Sequence, residues 1–187
     1  MQRNFRQAEN KDSEAIIKLV ESAYRGNSSR QGWTSEADLL DGGRTFTEEV
    51  QGIISAPENK IILLEDAGKL LASVHVKKLN DDERNSKSSR AYLGMFAVEP
   101  KSQNSGIGRV VMNYAEKFVA EEWQCSEIEM AVIRQRVELI AWYEKLGYQL
   151  TGETRDFPYG DERYGIPKRE DLVLDVLVKS FKCSKNE

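Results

Sequence analysis

The chain has 187 residues, 40% hydrophobic and 31% charged, with four prolines, which suits one folded domain and excludes disordered, collagen-like and coiled-coil classes. Lys and Arg number 27 against 31 Asp and Glu, so the formal charge is −4, a poor balance for nonspecific nucleic-acid binding. His75 is the single histidine, and Cys125 and Cys183 lie far apart, so no zinc spacing exists and no metal is expected. The opening Met1-Gln-Arg-Asn-Phe-Arg precedes no apolar stretch, and no run approaches about 18 apolar residues. No export signal and no membrane span are expected, and a cytoplasmic setting follows as the default.

In chain order, residues 5–8 read as a first edge strand. Residues 11–24 read as a helix, with Asp12 or Ser13 as cap and Ile16, Ile17, Leu19, Val20 and Tyr24 as its apolar stripe. Residues 25–44 are rich in Gly, Ser and Asp yet contain Trp33, Leu39 and Leu40, which predicts a long anchored loop with one helical turn at 36–40. Residues 47–54 form a short helix capped by Thr45 or Thr47. Strands follow at 61–65 and 70–79, joined by a tight turn in which Gly68 can take positive φ. Residues 80–90 are polar and read as a solvated connection, and 91–98 are a further strand.

From Ile107 the apolar positions Val110, Val111, Tyr114, Ala115, Phe118 and Val119 recur at helical spacing, the clearest period in the chain. Ile128, Met130 and Val132 alternate as a strand, and 138–146 are helical and stopped by Gly147. A strand starts at 148, 156–168 are a Gly, Pro and Tyr loop, and 172–178 are the last strand. No linker or repeat divides the chain, so residues 1–179 are read as one α/β domain and 180–187 as a frayed tail.

The segment Val98-Glu-Pro-Lys-Ser-Gln-Asn-Ser-Gly-Ile-Gly-Arg carries the chemistry. It is a strand, a proline break, a polar turn with two glycines, and then the amphipathic helix. Free N–H groups at 103–109 can converge on one small volume at the positive end of that helix, with Lys101 and Arg109 adding charge. It is neither a Walker A sequence nor a dinucleotide fingerprint. Taken alone, it reads equally well as an ordinary turn.

The block from Leu93 to Met112 resembles the acyl-coenzyme A motif of the GNAT-type N-acetyltransferases, with Gln103, Gly106 and Gly108 on the motif positions. The resemblance implies a single mixed central sheet of about seven strands flanked by helices, the acyl-CoA N-acyltransferase-like fold. It also implies that acetyl-CoA is the acyl donor. Main-chain groups of Phe96, Ala97 and Val98 would then hold the pantetheine arm and thioester, and Gln103, Asn104, Ser105, Gly106, Ile107, Gly108 and Arg109 the pyrophosphate. A second block, Leu139-Ile-Ala-Trp-Tyr-Glu-Lys-Leu-Gly-Tyr, resembles the family's later helix-turn-strand motif. It puts Tyr143 where many members carry the acid that protonates the leaving thiolate; packing is the other reading of that ring. Two departures stand out. Arg136 occupies the place of a frequent Asn, and Leu93-Gly-Met carries no carboxylate where some protein-acetylating members have their base.

By the same resemblance, residues 24–44 and 156–169 line the acceptor side. Trp33 can close over a ligand, Glu36 and Asp38 can attract or deprotonate an amine, and Tyr159, with Asp161, Glu162 and Tyr164 beside it, can complete the wall. The plainer alternative is that Trp33, Leu39 and Leu40 pin the loop and the acids face water. His75 is open to two readings, a base acting through water or a structural strand residue. The function expected is acetyl transfer to a primary amine, with a small metabolite ahead of a protein lysine or N-terminus. A non-catalytic coenzyme A-binding module and a structural subunit are the other classes. A homodimer is open, because terminal strands can pair across subunits.

Overall fold

In the computed structural model, residues 3–79 and 89–181 are described; most of the polar connection expected at 80–90 lies outside them. The chain order is β1 (Arg3–Gln7), α1 (Ser13–Tyr24), α2 (Gly26–Ser29), β2 (Leu40–Asp41), α3 (Thr47–Ser55), β3 (Asn59–Asp66), β4 (Lys69–Lys78) and β5 (Arg90–Val98). It continues through α4 (Ile107–Glu121), β6 (Glu127–Ile133), α5 (Val137–Lys145), β7 (Gln149–Asp156), β8 (Ile166–Pro167) and β9 (Val173–Ser180). Seven strands form one sheet in the order β1-β3-β4-β5-β6-β9-β7, and β2 and β8 form a separate ribbon. Only β5 and β6 run parallel; the other pairs are antiparallel. This is the mixed seven-stranded architecture expected from the resemblance.

Strand alternation decides which helices cover which face. In β3, Ile62 and Leu64 join Val111, Met112 and Ala115 of α4 and Leu139 and Ile140 of α5 in the larger core. Ile61 and Leu63 point the other way and pack with Ile16, Leu19 and Val20 of α1 and Val50 of α3.

Several helix ends differ in detail from the expectation. Asp12 stands at the N-cap of α1, as expected, but its carboxylate serves the preceding 3-10 turn (Asn10–Asp12), accepting the Glu9 N–H at 2.8 Å and pairing with Arg6. Neither Thr45 nor Thr47 caps α3, which follows Phe46 without a side-chain cap; the Thr45 hydroxyl donates to Glu49 at 2.8 Å instead. Within 25–44, one turn does form at 36–40, with Leu39 and Leu40 N–H both donating to the Glu36 carbonyl. The short α2 and the two-residue strands β2 and β8 were not readable, because none is long enough to carry a period.

The C-terminus is ordered beyond the expected limit at Lys179. Strand β9 includes Ser180, and Phe181 packs on the larger core while its N–H donates to Ser126 O at 2.8 Å. Residues 182–187 of the expected tail lie outside the described residues. Strand β9 also sits between β6 and β7, so the sheet edges are β1 and β7 and the last strand is not free to pair. No helix among the described residues is long and apolar enough to cross a membrane.

Candidate active site

The site begins as a fault in the sheet. Strand β5 pairs with β6 only through Arg90, Ala91 and Tyr92, and beyond Tyr92 the two separate. On its other side β5 bulges against β4: His75 faces Gly94 and Ser73 faces Ala97, so Met95 and Phe96 together oppose Val74. Met95 takes φ of 45°, an uncommon value for a residue with a side chain, and the bulge bends the strand away from β6. Strand alternation then aims the main-chain groups of Phe96 and Val98 into the gap. Two of those carbonyls have partners: Phe96 O accepts from the Tyr24 hydroxyl at 2.8 Å and Val98 O from Gln103 Nε2 at 3.1 Å.

On one side of this gap is a cavity of about 310 Å³ lined by Tyr24, Trp33, Phe96, Trp142 and Tyr143 and closed by the turn containing Gln103, Gly106 and Gly108. In that turn Asn104 and Gly106 take φ of 61° and 82°, left-handed values on either side of Ser105. The N–H groups at 104–109 donate to no described backbone or side-chain acceptor, so the turn presents converging donors at the start of α4. The two glycines do different jobs. A Cβ on Gly106 would meet nothing within 4 Å, so its positive φ is what requires glycine there. A Cβ on Gly108 would lie 3.3 Å from the Trp142 ring and 3.6 Å from the Phe96 ring, so its bareness makes room for two aromatic side chains.

On the other side is a cavity of about 370 Å³, with Arg44, Tyr92, Arg155, Phe157 and Tyr164 in its wall. Tyr24, Phe96 and Tyr143 line both cavities and form the wall between them. Tyr143 is buried at 5% exposure, makes edge contacts with Trp142 and Tyr148, and hydrogen-bonds to no described residue. Burial, with the electron-rich neighbours Tyr24, Tyr92 and Glu36 adding, raises its hydroxyl far above the usual phenol range against the opposing pull of Arg136. The hydroxyl is therefore in its protonated form at neutral pH. Glu36 is also buried, with Arg25 at 2.5 Å on one oxygen and Arg136 at 2.7 Å on the other. Burial pushes this carboxyl up, but Arg136, Arg44 and Arg25 outweigh it and hold Glu36 below its ordinary value.

The expected site residues separate into three groups. Phe96, Val98, Gln103, Asn104, Gly106, Gly108, Arg109 and Tyr143 line the first cavity, while Ala97 faces the α1 core and Ile107 the α4 core. Gln103 contributes its side chain as a clamp, with Oε1 accepting the Trp33 N–H at 3.0 Å, and Ser105 donates to Ser102 O at 2.6 Å. Trp33, expected on the acceptor side, lies in the first cavity 6.2 Å from Trp142. Glu36 lines the second cavity but is committed to two arginines.

Asp38 and Tyr159 are not brought to either cavity. Asp38 is 79% exposed and pairs with Arg30, because the turn at 36–40 points the two acids in opposite directions. Tyr159 braces its own loop, donating to Arg169 O at 3.2 Å and accepting the Leu172 N–H at 2.7 Å. His75 bonds Asn59 at 2.7 Å and lines neither cavity, and Cys125 is buried beside Ser89. Among the described residues no three His, Cys, Asp or Glu side chains cluster to hold a metal.

Sequence reasoning missed Tyr92; Tyr24 and Arg44 fell in the stretch expected on the acceptor side and Trp142 in the second motif, but none of the three was given a role. Tyr24 continues the apolar stripe of α1, so its period is that of a core residue and nothing in the pattern marks its hydroxyl. Arg136 was visible only as a departure from the family pattern. It donates to Glu36 and Thr34 and ties the 25–44 loop to the start of α5.

The sequence profile described as Acetyltransferase (GNAT) family matches residues 17–148. Among curated proteins, a spermine/spermidine N(1)-acetyltransferase of Bacillus subtilis is 28% identical over 72 residues, 38% of this chain and 47% of that protein. The match thus spans about half the length of the relative. Among solved structures, the ribosomal-protein-S18-alanine N-acetyltransferase of Escherichia coli superposes with a TM-score of 0.68 at 15% identity, covering 100% of this chain and 99% of that one. An acetyltransferase of GNAT family from Streptococcus pneumoniae gives 0.67 at 16% identity, covering 96% and 100%. At these identities the structural likeness carries the fold.

Proposed function

The chain belongs to the acetyltransferase (GNAT) family, and from that premise we propose that it transfers the acetyl group of acetyl-CoA to the primary amine of a small metabolite. One observation carries the reading: two cavities share a wall of Tyr24, Phe96 and Tyr143, and one of them ends at a turn of unpartnered N–H donors. A donor whose pyrophosphate rests on that turn would reach the wall with its thioester end, and an amine in the second cavity would face it.

The reaction asks for positioning and one proton. The neutral amine attacks the thioester carbonyl carbon, and main-chain N–H groups of Phe96 and Val98 are aimed to stabilise the developing oxyanion. The carbon–sulfur bond then breaks, the Tyr143 hydroxyl gives its proton to the thiolate, and the proton that the nitrogen sheds to water is matched by one that water returns to the Tyr143 phenolate. Glu36 is a poor base, because both its oxygens already bind guanidinium groups. A small acceptor is favoured over a protein segment by the 25–44 loop. It is tied down by the Gln103 clamp, the Arg136–Glu36 pair and the β2–β8 ribbon, and its Glu36, Leu40 and Arg44 line the second cavity. Polyamines, named for the Bacillus relative, fit less well, since Arg25, Arg44 and Arg136 surround Glu36, the buried carboxylate among the described residues lining the second cavity.

Calorimetry with acetyl-CoA and release of free coenzyme A thiol with a panel of amines test the proposal. Binding together with amine-dependent thiol release supports it. Binding without turnover on any amine would leave a coenzyme A-binding module, and absence of binding would remove the donor site.

A further inference from the structure

We propose that the acceptor carries a carboxylate beside its amine, an amino acid with an apolar side chain, and that Arg44 receives the carboxylate. The inference rests on the acetyl-transfer reading only for the fate of the amine; the binding of the acid group stands separately.

Arg44 is the guanidinium in the wall of the second cavity that no described carboxylate contacts directly; Glu36 acts on it only at longer range. Its main chain is fixed to α1, with the N–H groups of Arg44 and Thr45 both donating to the Glu21 carboxylate. Its guanidinium carbon lies 5.2 Å from the centre of the Tyr24 ring, the ring whose hydroxyl bonds the Phe96 carbonyl on the bulged strand. It forms no ion pair with any described carboxylate. The other charges among the described lining residues are Glu36, which Arg25 and Arg136 share, Arg155, which pairs with Glu129, and Asp156, which is exposed. Glu49, the remaining acid near Arg44, accepts from Thr45. A guanidinium with no direct ion pair has its donors open, and a ligand carboxylate supplies two acceptors in the planar arrangement that it matches.

The rest of the cavity specifies the remaining parts of the ligand. Leu40, Leu93, Met130, Val132, Phe157 and Leu174 give it an apolar lining, and its buried carboxylate, Glu36, is already paired, so no buried partner is left for a second ammonium. A carboxylate on Arg44 leaves the adjacent amine on the Tyr24 side, towards Phe96 and Tyr143. A polyamine would instead put a cation beside Arg44.

The test compares leucine, methionine and phenylalanine with isoamylamine, 3-(methylthio)propylamine and phenethylamine, which lack only the carboxylate, and with spermidine. Binding is read by calorimetry on the full chain with and without coenzyme A, and turnover by thiol release. At least one amino acid should bind and react about 10–100-fold better than its matched amine. Arg44→Gln should shrink that ratio to about threefold or less, and Arg44→Lys should keep part of it, with melting curves confirming that both variants fold. Equal or better binding of the matched amines or spermidine overturns the proposal, as does an unchanged ratio in Arg44→Gln or no amino acid binding at all. Amino-acid binding lost in Arg44→Gln, but with no thiol released from acetyl-CoA, upholds the anion site and instead overturns the transfer reading.

Discussion

Tyr143 is where packing and chemistry are hardest to tell apart, because it belongs both to the core and to the wall between the cavities. Its hydroxyl bonds no described residue, so Tyr143→Phe removes a proton donor without breaking a hydrogen bond. We expect stability to change by about 0.5 kcal/mol or less, acetyl-CoA affinity to persist, and kcat to fall about 100-fold. An unchanged kcat would make the ring a packing residue. Glu36 is the opposite case, since its role is structural before it is anything else. Glu36→Gln leaves Arg25 and Arg136 buried without their shared anion and should cost about 3–5 kcal/mol in denaturant unfolding. The sign of its pH dependence follows from the lowered folded value. The stabilisation is present above the ordinary 4.5 of the unfolded chain and is lost as pH falls through the lower folded value. Wild type should therefore lose more stability on acidification below about pH 4.5 than Glu36→Gln does, as read from urea midpoints.

At the scale of elements, the hairpin between β3 and β4 turns on Ala67 and Gly68, with φ of 49° and 78°. Both values fit a type I′ turn, which favours Asn-Gly, and alanine is the misfit. Ala67→Asn should stabilise the chain by about 0.5–1 kcal/mol with no effect on activity, measured by the thermal midpoint. The same contrast explains what could be read in advance. Gly68, the period of α4 and the stop at Gly147 each have a local cause inside a few residues, and each appears where the sequence puts it. Asp38 and Glu36 are two residues apart in a loop with no period, so the opposite fates of their carboxylates depend on Arg136, a hundred positions away. Gly106 and Gly108 were legible as a pair, but that one serves conformation and the other the Trp142 ring needed the tertiary contact.

Across the whole molecule, the sheet and its two helical layers follow from strand alternation and one strong helix, whereas the site lies where regularity ends. It occupies the separation of β5 from β6, made by a one-residue bulge that no alternation pattern reveals, and its walls come from segments far apart in sequence. That convergence fixes the charge of the second cavity: Arg25, Arg44 and Arg136 surround Glu36, and no unpaired carboxylate among the described lining residues is buried there. His75 is no substitute. Burial, with Lys77 and Arg44 adding, holds it down to about 4, so above pH 5 it is already neutral, bonded to Asn59 and outside both cavities. The amine must therefore arrive deprotonated or lose its proton to water, and nearby guanidinium groups help by disfavouring its ammonium form. The expected consequence is a log kcat/KM that rises with slope one from about pH 5.5 to 8, bending only at the acceptor's own pKa. A histidine base at its ordinary value would instead bend the profile near 6.5, which would also contradict the lowered value of His75. Such a bend, abolished by His75→Asn, would move the proton's route to the other face of β4; a straight rise in both proteins places it through the acceptor cavity and solvent.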